Sequence, residues 1–228
     1  MITLETFPAI CPGCQSDCEA TLWGGMTRYL CDTCAAADKA RRVAAERRER
    51  CTGALTECVP PAFLEKIDPE RLNAGILPAL EMDGKEGVGL IGKTGSGKTR
   101  VAHALLIKAA KAGLTPYSIT AGRFRQAASD RHGKDGISLE ILRACRFAQC
   151  LVLDDVGKGN CTDGADEALF DLLTERRDHR RVTIWTANGD GKWIAAKYGP
   201  DRGPAIAVRL ANLAGCSGKG TGRIYTAV

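Results

Sequence analysis

The chain has 228 residues, 44% of them hydrophobic and 26% charged, with eleven cysteines and a formal net charge of +5. That length holds one core of ordinary size and a small appendage, and the composition excludes a disordered chain. No apolar run approaches the roughly 20 residues that cross a bilayer, and Met1–Ile10 lacks the basic start and apolar stretch of a secretory signal, so no membrane association and a cytoplasmic location are expected.

The first feature along the chain is Cys11-Pro12-Gly13-Cys14 followed by Cys31-Asp32-Thr33-Cys34, a C-x2-C-x16-C-x2-C pattern with the spacing of a zinc ribbon. In a reducing compartment the cysteines are not expected to form a disulfide framework. Four thiolates suit a closed tetrahedral site, and Zn²⁺ is the expected ion. Cys18 is a spare thiol able to replace a ligand. A thioredoxin-like redox pair would need a βαβ surround that is missing here. Cys51, Cys58, Cys145, Cys150, Cys161 and Cys216 show no such pairing and read as structural.

Residues 37–50 are Ala, Arg and Glu with strong helix propensity. Six basic and three acidic side chains fall between Asp38 and Arg50. Lys39, Arg41, Arg42, Arg47, Arg48 and Arg50 either contact nucleic-acid phosphates or, with Glu46 and Glu49, form a solvated helical linker. The expected organisation is a zinc ribbon at 1–36, a basic helical linker at 37–54 and a main domain at 55–228.

The main domain alternates strands and helices. Val88–Ile91 reads as a short strand, Lys98–Ala112 as a helix stopped by Gly113, and Pro116–Thr120 as the next strand. Ile137–Ala148 has apolar residues at helical spacing; Cys150–Leu153 is a continuous apolar run, as in a strand buried on both faces. Ala165–Arg177 is a helix and Val182–Thr186 a fourth strand. This alternation implies an α/β fold, a parallel sheet flanked by helices.

Between the first strand and first helix of that domain lies Gly92-Lys93-Thr94-Gly95-Ser96-Gly97-Lys98-Thr99, a complete G-x-x-x-x-G-K-[ST] loop. Its glycines let backbone N–H groups curl around phosphates, the helix N-terminus adds a positive dipole end, and Lys98 reaches the β- and γ-phosphates. Thr99 places a hydroxyl on Mg²⁺. Leu151-Val152-Leu153-Asp154-Asp155 sets two carboxylates at the C-terminal edge of the sheet. Asp154 is a Mg²⁺ ligand, directly or through water, and Asp155 stands where a base orients the attacking water; a turn or helix cap is the plainer role for either. Asn188, in Trp185-Thr186-Ala187-Asn188, can bond a γ-phosphate or a water, and also ends strands for ordinary turn reasons.

The order of these motifs, with Arg209-Leu210 near the C-terminus and Val59-Pro60-Pro61-Ala62-Phe63 ahead of the loop, resembles the DnaC/IstB branch of the AAA+ ATPases over roughly residues 55–215. The resemblance implies that ATP and Mg²⁺ are cofactors, that Lys98 and Thr99 bind phosphate and Mg²⁺, and that Asp154 and Asp155 form the Walker B pair. It makes Asn188 sensor I and Arg209 an arginine finger, with Arg176 and Arg202 as rivals for that role. Members of the branch are helicase loaders of replication or ATP-dependent helpers of transposases. The implied partners are therefore a replicative helicase, single-stranded DNA and further copies of the chain in an ATP-dependent homo-oligomer. Two features depart from the pattern: Asp155 stands where many AAA+ proteins carry Glu, and no sensor II arginine is evident after Gly215.

Three further readings remain open at this level. A small-molecule kinase also owns such a loop, and a nucleotide-binding scaffold without hydrolysis is compatible with Asp155. Arg123-Phe124-Arg125 reads as a single-strand contact, an aromatic flanked by cations, or as a core Phe with surface neighbours. His103, His132 and His179 are dispersed and suggest no cluster.

Overall fold

The computed structural model describes residues 5–23, 26–28, 30–130, 136–158, 163–215 and 223–227; Cys161, Cys216 and His132 lie outside them. The chain divides into two compact units, Met1–Arg47 and Arg48–Val228. The first holds an antiparallel meander of β1 (Glu5–Ile10), β2 (Asp17–Trp23) and β3 (Met26–Arg28) and the greater part of helix α1 (Asp32–Gly53), whose residues from Arg48 on belong to the second. α1 starts at Asp32, whose carboxylate favours a helix N-terminus. Helix propensity alone places the start at 37, so Cys34 proves to lie in the first turn of α1. Cys51 is the one buried residue among those described in this helix, and Val43 is exposed.

In the second unit the short helices α2 (Leu55–Cys58) and α3 (Pro61–Leu64) and two 3₁₀ segments, Pro69–Arg71 and Ala74–Glu81, lead into the sheet. The remaining elements are β4 (Val88–Gly92), α4 (Lys98–Lys111), β5 (Pro116–Thr120), α5 (Ala121–Ser129), α6 (Ile137–Phe147), β6 (Cys150–Val156), α7 (Asp163–Asp178), β7 (Val182–Ala187), α8 (Gly191–Lys197), α9 (Gly199–Leu213) and β8 (Ile224–Ala227). The five strands are parallel, in the order β5-β6-β7-β4-β8. The strand that feeds the phosphate loop, β4, is therefore separated from the acidic strand β6 by β7 alone. Among the described residues no helix is long and apolar enough to cross a membrane.

Alternate residues of β6 face opposite layers. Cys150 and Val152 join the core under α4, with Val88, Leu90, Val101 and Leu105, whereas Leu151 and Leu153 join the core under α5, α7 and α9. This is why the run is apolar at every position. Gly89 on β4 lies against the Trp185 indole, where an added Cβ would come within 2.4 Å of the ring. The Trp185 Nε1–H in turn donates to the Leu210 carbonyl at 2.9 Å, fastening α9 to β7.

α5 is masked in the sequence by the charges of Arg123-Phe124-Arg125. Yet Ala121, Phe124, Arg125 and Ala128 form a buried stripe at helical spacing, and the Thr120 hydroxyl accepts from the Arg123 N–H as an N-cap. Phe124 is 2% and Arg125 3% exposed. The single-strand reading of this segment is thereby corrected: the ring is core, and Arg125 Nη2 lies 3.1 Å from the buried Asp166 carboxylate.

Arg176 is fully buried, and among the described residues no carboxylate forms an ion pair with it. It donates from Nε to Thr183 Oγ1 (2.9 Å), from Nη1 to the Cys145 and Ala148 carbonyls (both 2.8 Å), and from Nη2 to the Val182 carbonyl (2.5 Å). Burial lowers its pKa to about 10. The guanidinium closes the C-terminal end of α6 onto the start of β7, which removes Arg176 as a candidate finger. Arg202 is engaged with Glu167 at 3.5 Å. Replacing Arg176 by Ala leaves two buried carbonyls and one partly buried carbonyl without their donor and is expected to cost about 3–5 kcal/mol of folding stability. Urea denaturation should show this loss, and Arg177→Ala, on the exposed side of α7, should unfold close to wild type.

Candidate functional site

The loop from Gly92 to Gly97 turns back on itself before α4. Gly97, the N-cap of α4, has φ 91° and a would-be Cβ 2.4 Å from Leu72 Cδ2, so only glycine fits there. The segment before the sheet also touches the loop through the Asn73 N–H, which donates to the Ser96 carbonyl at 3.3 Å. Lys98 is folded into the loop: Nζ donates to the Gly92 (2.8 Å) and Lys93 (2.7 Å) carbonyls and to Ser96 Oγ (3.4 Å). Burial depresses its pKa, while Asp155 and Asp154 push it back up.

Facing Lys98, the end of β6 departs from regular pairing. Its register with β7 shifts between Leu153 and Val156, and Asp155 takes a left-handed φ of 59°. Such a bulge re-aims side chains, and here it separates the roles of two adjacent carboxylates. Asp154, 8% exposed, accepts from the hydroxyls of Thr99 (3.0 Å to Oδ1, 3.2 Å to Oδ2) and Thr186 (2.6 Å). The Thr186 oxygen also accepts the Asp155 N–H at 2.9 Å. Thus the first residue after Lys98, the end of β6 and the neighbouring β7 meet in one hydrogen-bonded chain, in which Thr186 is a member that motif reading passes over.

Asp155, Lys158 and Asn188 share a cleft of 270 Å³ with Thr94, Gly95, Gly97, Lys98 and Thr99; Phe63 and Arg100 also line it. The Asn188 amide oxygen is buried and has no hydrogen-bond partner among the described residues. An orphaned acceptor beside a loop built to hold phosphate fits a bound nucleotide or the water next to it. The Thr99 hydroxyl and the Asp154 carboxylate are hard oxygen donors of the kind Mg²⁺ takes, so these residues fit that ion. Lys158 is not singled out by the sequence motifs either, although Asp-Asp-x-x-Lys sets it one turn beyond Asp155.

Phe63 stacks on His103 of α4, with centroids 4.6 Å apart and an interplanar angle of 9°. His103 donates from Nδ1 to the Thr99 carbonyl and accepts at Nε2 from Ser118, both at 2.9 Å, and burial keeps its pKa low. Arg100 donates to the carbonyls of Ala62, Glu65 and Lys66 and so ties the segment carrying Phe63 to α4. Arg209 is elsewhere: Nε donates to Thr174 at 2.6 Å, and the guanidinium lies 4.2 Å from the Phe170 ring centroid, outside the lining of the cleft.

Two roomier depressions lie elsewhere among the described residues of the second unit. One of 480 Å³, between α5, α6 and α7, holds neither the loop nor the paired carboxylates. The other, of 660 Å³, adjoins Thr99 and Asp154 on the β5 side. The smaller cleft is the one with convergent phosphate-binding and acidic groups.

In the first unit the sulfurs of Cys11, Cys14, Cys31 and Cys34 all lie within 4.8 Å of one another. The Cys11 thiol pKa is lowered to about 6, chiefly by the Cys31 backbone N–H. That of Cys34 is pushed up to about 12 by the neighbouring Cys14 and Cys31 thiols. Four sulfurs this close cannot all carry negative charge unless a cation sits among them, and a donor set of four thiolates fits Zn²⁺. Cys18 is not part of the four-sulfur group. Cys145 and Cys150 are buried thiols pushed up to about 12 by burial, as expected for structural cysteines.

The family model described as IstB-like ATP binding protein matches residues 69–214, a span that runs from before the phosphate loop to the end of α9. No curated protein is similar enough to match the chain. Among solved structures, that of the DnaI is 20% identical with a TM-score of 0.58, covering 75% of this chain and 95% of that one. The DnaC helicase loader is 20% identical with a TM-score of 0.52, covering 68% and 86%. AMPPCP-bound DnaA from Aquifex aeolicus is 19% identical with a TM-score of 0.52, covering 72% and 51%. At these identities the likeness is one of fold, that of the P-loop AAA+ domain.

Metal analysis of the purified protein is expected to give one zinc per chain, lost in the Cys31→Ser/Cys34→Ser double variant. Zinc retained in that variant would contradict the assignment of Cys11, Cys14, Cys31 and Cys34.

Proposed function

Because this chain belongs to the IstB-like ATP-binding family of AAA+ proteins, we propose that it is an ATPase that loads a replicative helicase onto single-stranded DNA. The observation that carries the ATPase part is the hydrogen-bonded chain from Thr99 through Asp154 and Thr186 to the Asp155 N–H, set beside a phosphate loop and the unpartnered Asn188 oxygen. In this reading Lys98 and the loop N–H groups hold the β- and γ-phosphates, and Thr99 and Asp154 hold Mg²⁺, which neutralises charge on the phosphates. Asp155 and Asn188 orient the water.

The loader part is supported by the fold shared with the DnaC helicase loader and the DnaI. A four-cysteine unit ahead of the ATPase core offers a separate grip for the helicase or for DNA. The competing reading, a helper ATPase for a transposase, is favoured by the family description itself. A pull-down of the full chain against a replicative helicase and against a transposase, each with wild type and the Cys31→Ser/Cys34→Ser variant, decides between them. Retention of the helicase by wild type and its loss with the zinc site supports loading.

Lys98→Ala should lose both nucleotide affinity and turnover, and Asp155→Asn should bind ATP while turning over about 10²–10⁴-fold more slowly. Wild-type hydrolysis by Lys98→Ala would sink the assignment. Arg209, set on α9 outside its own subunit's cleft, is proposed as a finger supplied to a neighbouring copy, an effect worth about 10³–10⁵ in rate in P-loop enzymes. A mixture of Arg209→Ala and Lys98→Ala should then regain activity that neither has alone. Full activity of Arg209→Ala by itself would reject the role.

A further inference from the structure

Lys158 sits three residues beyond Asp155, and its ammonium lies 2.9 Å from Asp155 Oδ2 inside the cleft that Lys98 and Asn188 also line. Its backbone is fixed at both ends. The Lys158 N–H donates to the Asp155 carbonyl at 3.1 Å, and its own carbonyl accepts from Arg125 Nη1 at 3.3 Å. Arg125 is buried and paired with Asp166, so an ion pair held away from solvent anchors this one carbonyl. Between the two aspartate-lysine partners, Gly157 has φ 88°, a would-be Cβ 2.5 Å from the Trp193 ring, and an N–H that donates to the Tyr198 hydroxyl at 3.1 Å. These contacts hold the backbone of the turn, and the Lys158 ammonium extends from it on four methylenes.

Three cations line the cleft among the described residues. Lys98 is bonded to carbonyls of its own loop, and Arg100 is committed to three backbone carbonyls. Lys158, 47% exposed, is paired with the Asp155 carboxylate, 31% exposed. Pairs that open to water are weak. A terminal phosphate, with more charge and three acceptor oxygens, is the stronger partner. The pairing also occupies one oxygen of the carboxylate that the ATPase reading gives to the attacking water.

We infer that Lys158 senses the γ-phosphate: without it, Lys158 holds Asp155, and with it, Lys158 exchanges that carboxylate for the terminal phosphate and leaves Asp155 to the water. The device rests on the ATPase reading and adds to it a residue that distinguishes ATP from ADP. ADP, lacking the terminal group, leaves the Asp155–Lys158 pair closed.

The test is equilibrium binding of ADP and of the non-hydrolysable analogue AMP-PNP, both with Mg²⁺, to wild type, Lys158→Met and Lys158→Arg, with thermal melts confirming that each is folded. Lys158→Met should lose affinity for AMP-PNP relative to ADP by on the order of tenfold, and Lys158→Arg should keep most of the preference. A merely structural role would move both affinities together and leave their ratio unchanged; a wild-type ratio in Lys158→Met overturns the inference. If wild type binds both nucleotides, the site itself stands whatever Lys158 does. If wild type binds neither, the nucleotide site fails and the inference falls with it.

Discussion

Burying a carboxylate is costly unless hydrogen-bond donors or a cation compensate it, and at Asp154 the fold supplies donors from two different elements, Thr99 at the start of α4 and Thr186 at the end of β7. Much of the second unit's design follows from bringing these together. The strand order puts β7 between β4 and β6, so a side chain on β7 can reach the end of β6 while the phosphate loop arrives from the other side. The bulge after Leu153 then turns Asp155 away from Asp154 and into the cleft, its backbone N–H held by the same Thr186 hydroxyl. One threonine thus fixes the geometry of both carboxylates.

Around that point the protein devotes rigid groups to position. Gly157 under Trp193, the Tyr198 hydroxyl on its N–H, and Arg125 on the Lys158 carbonyl hold the turn that follows β6. Arg176 does the equivalent at the far end of the sheet, joining the end of α6 to the start of β7. The side chains facing the phosphate site are by contrast long and ionic: Lys98 bonded to its own loop and Lys158 bonded to Asp155. Such contacts can be exchanged for those of an anionic ligand while the backbone beneath them keeps its own hydrogen bonds.

What can be read in the sequence is whatever rests on local pattern. The phosphate loop, the run Cys150–Leu153 with its two aspartates and the paired Cys-x2-Cys motifs each announce themselves within a few residues, and the strands and helix that carry the first two start where periodicity puts them, whereas α1 starts at Asp32 and takes in Cys34. Hidden are the features that exist only across the fold. Thr186 gains its meaning from the β6–β7 register, and Lys158 from a left-handed Asp155 that no propensity indicates. Arg125 and Arg176, charged and expected at the surface, are buried because carbonyls and a carboxylate await them at sequence distances of about 30 residues or more. β8, four residues at the sheet edge beyond 216–222, is too short for its alternation to stand out.

The claim on which the rest depends is that Asp154 and Thr99 hold the metal that accompanies the nucleotide. The most direct measurement is ATP binding with and without Mg²⁺ in wild type and in Asp154→Asn, whose amide keeps the shape of the side chain and can still accept from Thr99 and Thr186. Mg²⁺ is expected to strengthen ATP binding in wild type and to add little in Asp154→Asn. An equal strengthening by Mg²⁺ in both would contradict the account.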